Sequence, residues 1–229
     1  SSWCLSEPRG RSFAQATEMG RVIENMSYMS DVTDEGEPVT VATSPAVFRV
    51  EARKTPSQVH FFRYAPSAPD RVMMNIAETY VSPSQSLYGP FMPMQADYPF
   101  PNSGEMVEVS GYGMVEERLS ADVPVIPTTH YFAGDITIIC VEDEGPHGNP
   151  LVRERLSIKV ETSAGDQIGV DIVESGQNTG RFLGYIVTAE KDTDPNDDQL
   201  SVHEHETLTA TYEDQFDDTE VATTTALVD

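Results

Sequence analysis

The chain is expected to be mostly β, with an antiparallel sandwich over residues 128–229 and a second β-rich domain ahead of it. Three observations predict this. Apolar residues recur with period two in short runs from about residue 36 onward, prolines and glycines fall between those runs, and no helical periodicity is found beyond the first 35 residues. At 229 residues with 38% apolar content, the chain can bury a core and has room for two small domains.

The first segment, residues 1–35, has a different pattern. After the breaker Pro8–Gly10, Ser12 and Gln15 fit a capping box, and Phe13, Ala16, Met19, Val22, Ile23 and Met26 recur at spacings of three and four. This predicts an amphipathic helix, or an arm that docks on a partner, since its single apolar stripe needs a cover. Asn25-Met26-Ser27 also matches a glycosylation sequon.

Residues 36–127 form the expected middle domain. Val39 and Val41, then Val47, Phe48 and Val50, then 59–64, 72–80 and 106–114 read as strands, with Pro45, Pro56, Pro66 and Pro69 between them. Residues 81–104 are a Pro-rich loop that still carries Phe91, Met92, Met94, Tyr98 and Phe100. So much apolar surface has two destinations: packing back on its own sheet, or contact with a partner. Pro124 and Pro127 bracket Val125-Ile126, and a boundary is expected at 127/128.

In residues 128–229 the alternation is cleanest. Ile136/Ile138/Cys140, Leu156/Ile158/Val160, Ile168/Val170/Ile172, Phe182/Gly184/Ile186, Leu208/Ala210/Tyr212 and Val221/Thr223/Thr225/Leu227 each mark a strand. Gly176, Asn178 and Gly180 supply the positive φ that a reversal between the third and fourth requires, and Gly184 predicts a close backbone approach or a bulge. Three segments in this region occur in order: Ala133-Gly134-Asp135-Ile136-Thr137-Ile138-Ile139-Cys140-Val141-Glu142-Asp143, Glu174–Gly184, and Thr207-Leu208-Thr209-Ala210-Thr211-Tyr212-Glu213-Asp214. Together they resemble the Ig-like repeat of large bacterial and archaeal surface and extracellular proteins. His205-Glu206 departs from that pattern where Gly-Asp is usual, as does Cys140 where Val or Thr is usual. The resemblance implies an immunoglobulin-like sandwich with a structural or adhesive role and no chemistry of its own. It does not extend to the first 125 residues.

Charge bounds the partners. Lys plus Arg number 14 against 38 Asp plus Glu, a formal net charge of -24. Such a polyanion repels nucleic acid and anionic lipid, and suits divalent cations, salty water or a basic partner. No apolar run is long enough for a transmembrane helix. The start at Ser1 is what a secreted product shorn of its signal peptide would show, and an extracellular or cell-surface location is expected.

Two candidate calcium sites follow from the acids. Asp192, Asp194, Asn196 and Asp198 place oxygen ligands at alternate positions, although Asp197 and His203 stand where an EF-hand needs Gly and Glu. If strands 136–141 and 207–212 are neighbours, Asp143 (with Glu142 and Glu144) would meet Asp214, Asp217 and Asp218. The plain alternative for both groups is a solvated acidic surface. His203 and His205 share one strand face but are too few for a metal site. Cys4 and Cys140 lack C-x-x-C spacing. They are expected to form one disulfide, within or between chains, or to stay reduced and buried.

Nucleophile elbows, zincin motifs and phosphate loops are all missing, so the chain is not expected to be an enzyme. The expected role is a structural subunit of a filament, sheath, surface layer or adhesin stalk, assembled from like subunits and stabilised by calcium. The alternative is a carbohydrate- or surface-binding adhesion module using the aromatics between Tyr88 and Phe100.

Overall fold

The computed structural model describes residues 22–25, 28–32, 38–42, 46–49, 56–82, 89–94, 98–100, 104–143, 151–192, 194, 198–214 and 219–229, those before 50 as strand backbone only. Among the described residues there is no helix. The strands are β1 (Val22–Asn25), β2 (Tyr28–Val32), β3 (Pro38–Ala42), β4 (Ala46–Arg49), β5 (Gln58–Tyr64), β6 (Val72–Ala77), β7 (Tyr80–Ser82), β8 (Met92–Pro93) and β9 (Glu105–Gly111). They continue as β10 (Met114–Pro127), β11 (His130–Tyr131), β12 (Ile136–Glu142), β13 (Arg153–Thr162), β14 (Gln167–Glu174), β15 (Arg181–Ala189), β16 (Leu200–Ser201), β17 (Thr207–Glu213) and β18 (Val221–Val228).

The chain divides into two compact units, 1–53 and 54–229. In the first, β1 pairs antiparallel with β4 and β2 with β3. This corrects the end of the expected helix: Val22 and Ile23 lie on a strand, opposite Arg49 and Phe48. β-branched residues favour the pleated backbone once a partner strand is available, and that partner is over twenty residues away, beyond the reach of local periodicity. Residues 12–21 of the expected helix, and Met26, lie outside the described residues.

In the second unit the expected boundary at 127/128 is corrected. β10 runs for fourteen residues through Pro124 and Pro127, pairing in turn with β9, β6 and β5, and β5 pairs on its other edge with β12. Residues 54–127 and 128–229 therefore share one sheet. Pro124 does not end β10, because at that position its carbonyl is the group engaged, accepting from the Ala65 N–H at 2.9 Å.

All six strands expected after residue 130 are present. β14 pairs with β13, β15 with β12 and β18 with β17, all antiparallel. The sheet as a whole is mixed, with parallel pairs at β9–β13, β11–β18 and β15–β16. From β13 the hydrogen-bonded path runs through β9, β10, β5, β12, β15 and β14 and back to β13, so seven strands close a circuit. In this unit Ile138, Ile158, Ile172, Leu183, Ile186, Leu200 and Leu208 are fully buried. Each such side chain stabilises by roughly 1.5–3 kcal/mol relative to exposure.

Local geometry follows the sequence closely here. Asn178 and Gly180 carry positive φ values of 54° and 63° in the β14–β15 reversal. The buried Glu174 carboxylate holds that turn, accepting from the N–H groups of Thr179 (2.5 Å) and Gly180 (2.9 Å). At Gly184 a Cβ would collide with Cγ2 of Ile172 and stand 3.0 Å from Oγ1 of Thr79, the close approach its position predicted.

Candidate functional site

The expected acidic sites are placed as follows. Asp192 and Asp194 are exposed, Asp198 is half-buried, and Asn196 lies outside the described residues. Asp143 is buried at the end of β12, accepting from the Tyr212 hydroxyl of β17 at 2.7 Å. β12 and β17 are not hydrogen-bonded neighbours, yet their ends do meet across the core through this contact. Burial and the Asp143 carboxylate both push the Tyr212 phenol upward. Asp214 is half-buried, its N–H donating to the Glu220 carbonyl, while Asp217 and Asp218 lie outside the described residues. Among the described residues, no three carboxylate, imidazole or thiol groups converge as a cation requires.

Cys140 is buried in the central strand β12 as a free thiol, and burial, reinforced by Glu142, pushes it up to about 12. Cys4 lies outside the described residues. The apolar residues of the Pro-rich loop divide. Phe100 and Met94 are buried, with Phe100 edge-on to Tyr98 at 5.5 Å and to Tyr185 at 5.3 Å, so the expectation of a partner contact is corrected for these two. Tyr98 is half-buried and donates to the Ile76 carbonyl at 2.5 Å. Aromatic rings this large gain more from their own core than from water. Met92 stays exposed, and Phe91 stacks at 6.0 Å on Tyr112.

Sequence reasoning missed a buried ion cluster beneath the β9–β10 hairpin. The turn of that hairpin is Tyr112-Gly113, with φ of 51° and 77°, the pair of positive values a two-residue type I′ turn needs. The Ser110–Gly113 segment is thus a hairpin tip. Antiparallel register places Arg118 opposite Val107 and Glu116 opposite Val109 on the face turned toward β13 and β14. There the fully buried Arg118 donates to Oδ2 of Asp171 at 2.8 Å, and Arg155 donates to the same oxygen at 3.2 Å and to Oε1 of Glu116 at 2.8 Å. The Arg118 guanidinium lies 3.7 Å from the centroid of Tyr80, and that of Arg155 4.8 Å from the centroid of Tyr112. Gly111 is required because a Cβ would stand 2.5 Å from Cγ of Arg155. Burial pushes the Asp171 carboxyl upward, against the pull of both guanidinium groups. With each charge held by its neighbours and no nucleophile among them, the cluster ties β10, β13 and β14 together. The signal available in the sequence was arginine at inward positions of strands in a cation-poor chain.

Two surface features remain. A shallow groove of about 530 Å³ is lined by Arg63, Tyr64, Ile126, Phe132 and Asp135, with Phe132 58% exposed. The other is the outer edge of β18. Among the described residues it pairs with β17 from Val221 to Val228 and with β11 at Leu227 and Val228, and β5 lies near its start, where the Ser57 N–H donates to the Glu220 carboxylate. No family model matches the chain, and no curated protein matches it either.

Proposed function

We propose that the chain is a structural subunit or segment of an extracellular assembly, a filament, sheath, surface layer or adhesin stalk, and not an enzyme. The observation that carries this reading is the edge of β18 at residues 221–226, which among the described residues hydrogen-bonds to no strand on the side away from β17. An unpaired strand edge is a template for another strand, and natural proteins normally blunt it with lysine, proline, a bulge or extreme shortness. Residues 221–226, Val-Ala-Thr-Thr-Thr-Ala, contain none of these guards and are rich in β-branched side chains. The extracellular placement and the Ig-like reading of residues 130–229 rest on the resemblance given above. Sedimentation velocity and negative-stain imaging over a range of protein and salt concentrations test the proposal. Concentration-dependent oligomers or fibres are expected, and monomers under every condition would refute it.

The groove beside the exposed Phe132 favours a second reading, a carbohydrate- or surface-binding module with that ring as its platform. Glycan-array binding abolished by Phe132→Ala, in a chain that remains monomeric, would establish it in place of the first.

A further inference from the structure

The 54–229 unit sorts its charges by sign. The side chains of Arg118 and Arg155 are buried inside the ion cluster. Arg153 is half-buried and donates to neutral oxygens, Oδ1 of Asn75 at 2.5 Å and the Glu174 carbonyl at 3.4 Å. Lysine, the residue that most often puts positive charge on a surface, stands only at positions 54, 159 and 191. Lys159 and Arg181 do neutralise acids on the exterior, Glu161 at 3.1 Å and Glu142 at 2.9 Å.

Where the sorting is sharpest, like charges face each other. The β9–β10 register sets Glu108 directly opposite Glu117. Counted from the two-residue turn at Tyr112-Gly113, they form a non-hydrogen-bonded pair, the kind whose Cα atoms are about 4.5 Å apart and whose side chains come closest. Both are exposed, on the sheet face away from Glu116 and Arg118. Their cross-strand neighbours on that face are Met106 with Leu119 and Ser110 with Val115, so the register supplies no cation there. The far end of the unit is negative too. Besides burial, the carboxylates of Asp143, Asp214 and Glu220 all push the Tyr212 phenol upward.

Like charges directly opposite on a sheet are destabilising, and a net charge far from zero works against any compact state. We infer that the native state of the 54–229 unit is conditional on screening by simple monovalent salt, and that Glu108 facing Glu117 concentrates part of this dependence in the β9–β10 hairpin. Folding fixes these carboxylates close together and unfolding lets them part, so repulsion acts against the native state alone. Salt shortens the reach of that repulsion from about 10 Å at 0.1 M to about 3 Å at 1 M. Screening of this kind requires no cation pocket. The dependence holds whether or not copies of the chain associate.

The test is thermal unfolding of the full chain, followed by far-UV circular dichroism at two protein concentrations, from about 0.05 M to about 1 M KCl. Tm is expected to rise by at least about 10 °C over that range, equally at both protein concentrations and equally in NaCl. A Tm that stays level or falls as salt is added overturns the inference. A rise seen only at the higher protein concentration overturns it too, because it belongs to association. So does a full rise produced by millimolar CaCl2 at low KCl, the mark of a bound ion. For the hairpin, Glu117→Lys makes the facing pair one of opposite charge. It is expected to raise Tm by about 2–4 °C at the lowest salt, and by much less at 1 M KCl, where the pair is screened. Glu117→Gln, which only removes the repulsion, is expected to give about half that gain. An unchanged Tm for both variants at low salt overturns the assignment to the hairpin. A gain that persists undiminished at 1 M KCl overturns it as well, because it would come from packing and not from charge.

Discussion

Removing one member of the ion cluster should destabilise the chain far more than removing a matched pair. Asp171 is fully buried and its Oδ2 serves both Arg118, at 2.8 Å, and Arg155, at 3.2 Å. Asp171→Leu leaves the buried Arg118 and Arg155 guanidinium groups to share the single Glu116 carboxylate, with only the Glu78 carbonyl and the Tyr80 face besides for Arg118. Breaking a buried pair in this way costs about 4 kcal/mol. Arg118→Met is milder, about 3 kcal/mol, because Asp171 keeps Arg155. In the double mutant Arg155 and Glu116 remain a pair at 2.8 Å and no charge is orphaned. Its total cost should be no more than about 4 kcal/mol, a coupling energy of about 3 kcal/mol. Urea unfolding followed by far-UV circular dichroism measures all four proteins. At roughly 2–4 °C per kcal/mol for a unit of this size, Asp171→Leu should lower Tm by about 8–16 °C. Additive costs, with the double mutant near 7 kcal/mol, would refute the claim that these side chains form one coupled network.

Alkali should unfold the chain. Burial raises the phenols of Tyr98, Tyr131, Tyr185 and Tyr212 above the ordinary value of 10.0. The native state therefore holds protons that the unfolded state releases; the stability they contribute is complete below pH 10 and is lost above it at about 1.4 kcal/mol per pH unit per group. Tyr212→Phe should make this alkaline slope shallower by one proton and, by leaving Asp143 without its hydroxyl donor, cost about 1–3 kcal/mol at neutral pH; an unchanged slope would show that Tyr212 titrates normally. Gly184→Ala should cost about 1–3 kcal/mol in a urea titration, from overlap with Ile172 and Thr79, whereas a neutral outcome would mean that β15 can shift away from β14. The Cys140 thiol, pushed up to about 12 in the central strand, should react with a thiol reagent only after urea is added.

What the sequence made legible was set by the range of the interactions. Strands after residue 130 were readable because alternation such as Leu208/Ala210/Tyr212 is a local consequence of one buried face, and β17 buries those three residues. The turn at Asn178 and Gly180 and the tight fit at Gly184 were readable because positive φ and a missing Cβ belong to single residues. Pairings between distant segments were hidden. Pro124 and Pro127 read as a hinge because proline breaks a central ladder, but nothing local shows that β10 needs only the Pro124 carbonyl there. Val22 and Ile23 read as helix because their cross-strand partners, Arg49 and Phe48, lie in another segment. Phe100 and Met94 gave no sign of which side of the Pro-rich loop would be covered. The ion cluster was the least legible, because Arg118, Arg155 and Asp171 lie on three strands and only the fold makes them neighbours.

Arg118 and Arg155 have a further consequence at the surface. They turn two of the chain's few cations inward, so the exterior is more acidic than the composition suggests. The effect is greatest along β18, because no Lys or Arg follows Lys191 and that strand is flanked by Glu213, Glu220 and Asp229. Two such edges repel each other over the Debye length, about 30 Å at 0.01 M salt and 3 Å at 1 M, whereas the backbone hydrogen bonds that reward their pairing act only at contact. Self-association should therefore strengthen steeply with ionic strength, the reverse of what an ion-paired interface does. Glu220→Gln should shift the salt midpoint downward by removing the flanking acid on both copies at once. Its N–H donor Ser57 lies next to β5, so sedimentation is best read beside a circular dichroism control. Dimers that dissociate as salt is added would mean that the contact is held by charge and lies somewhere other than β18.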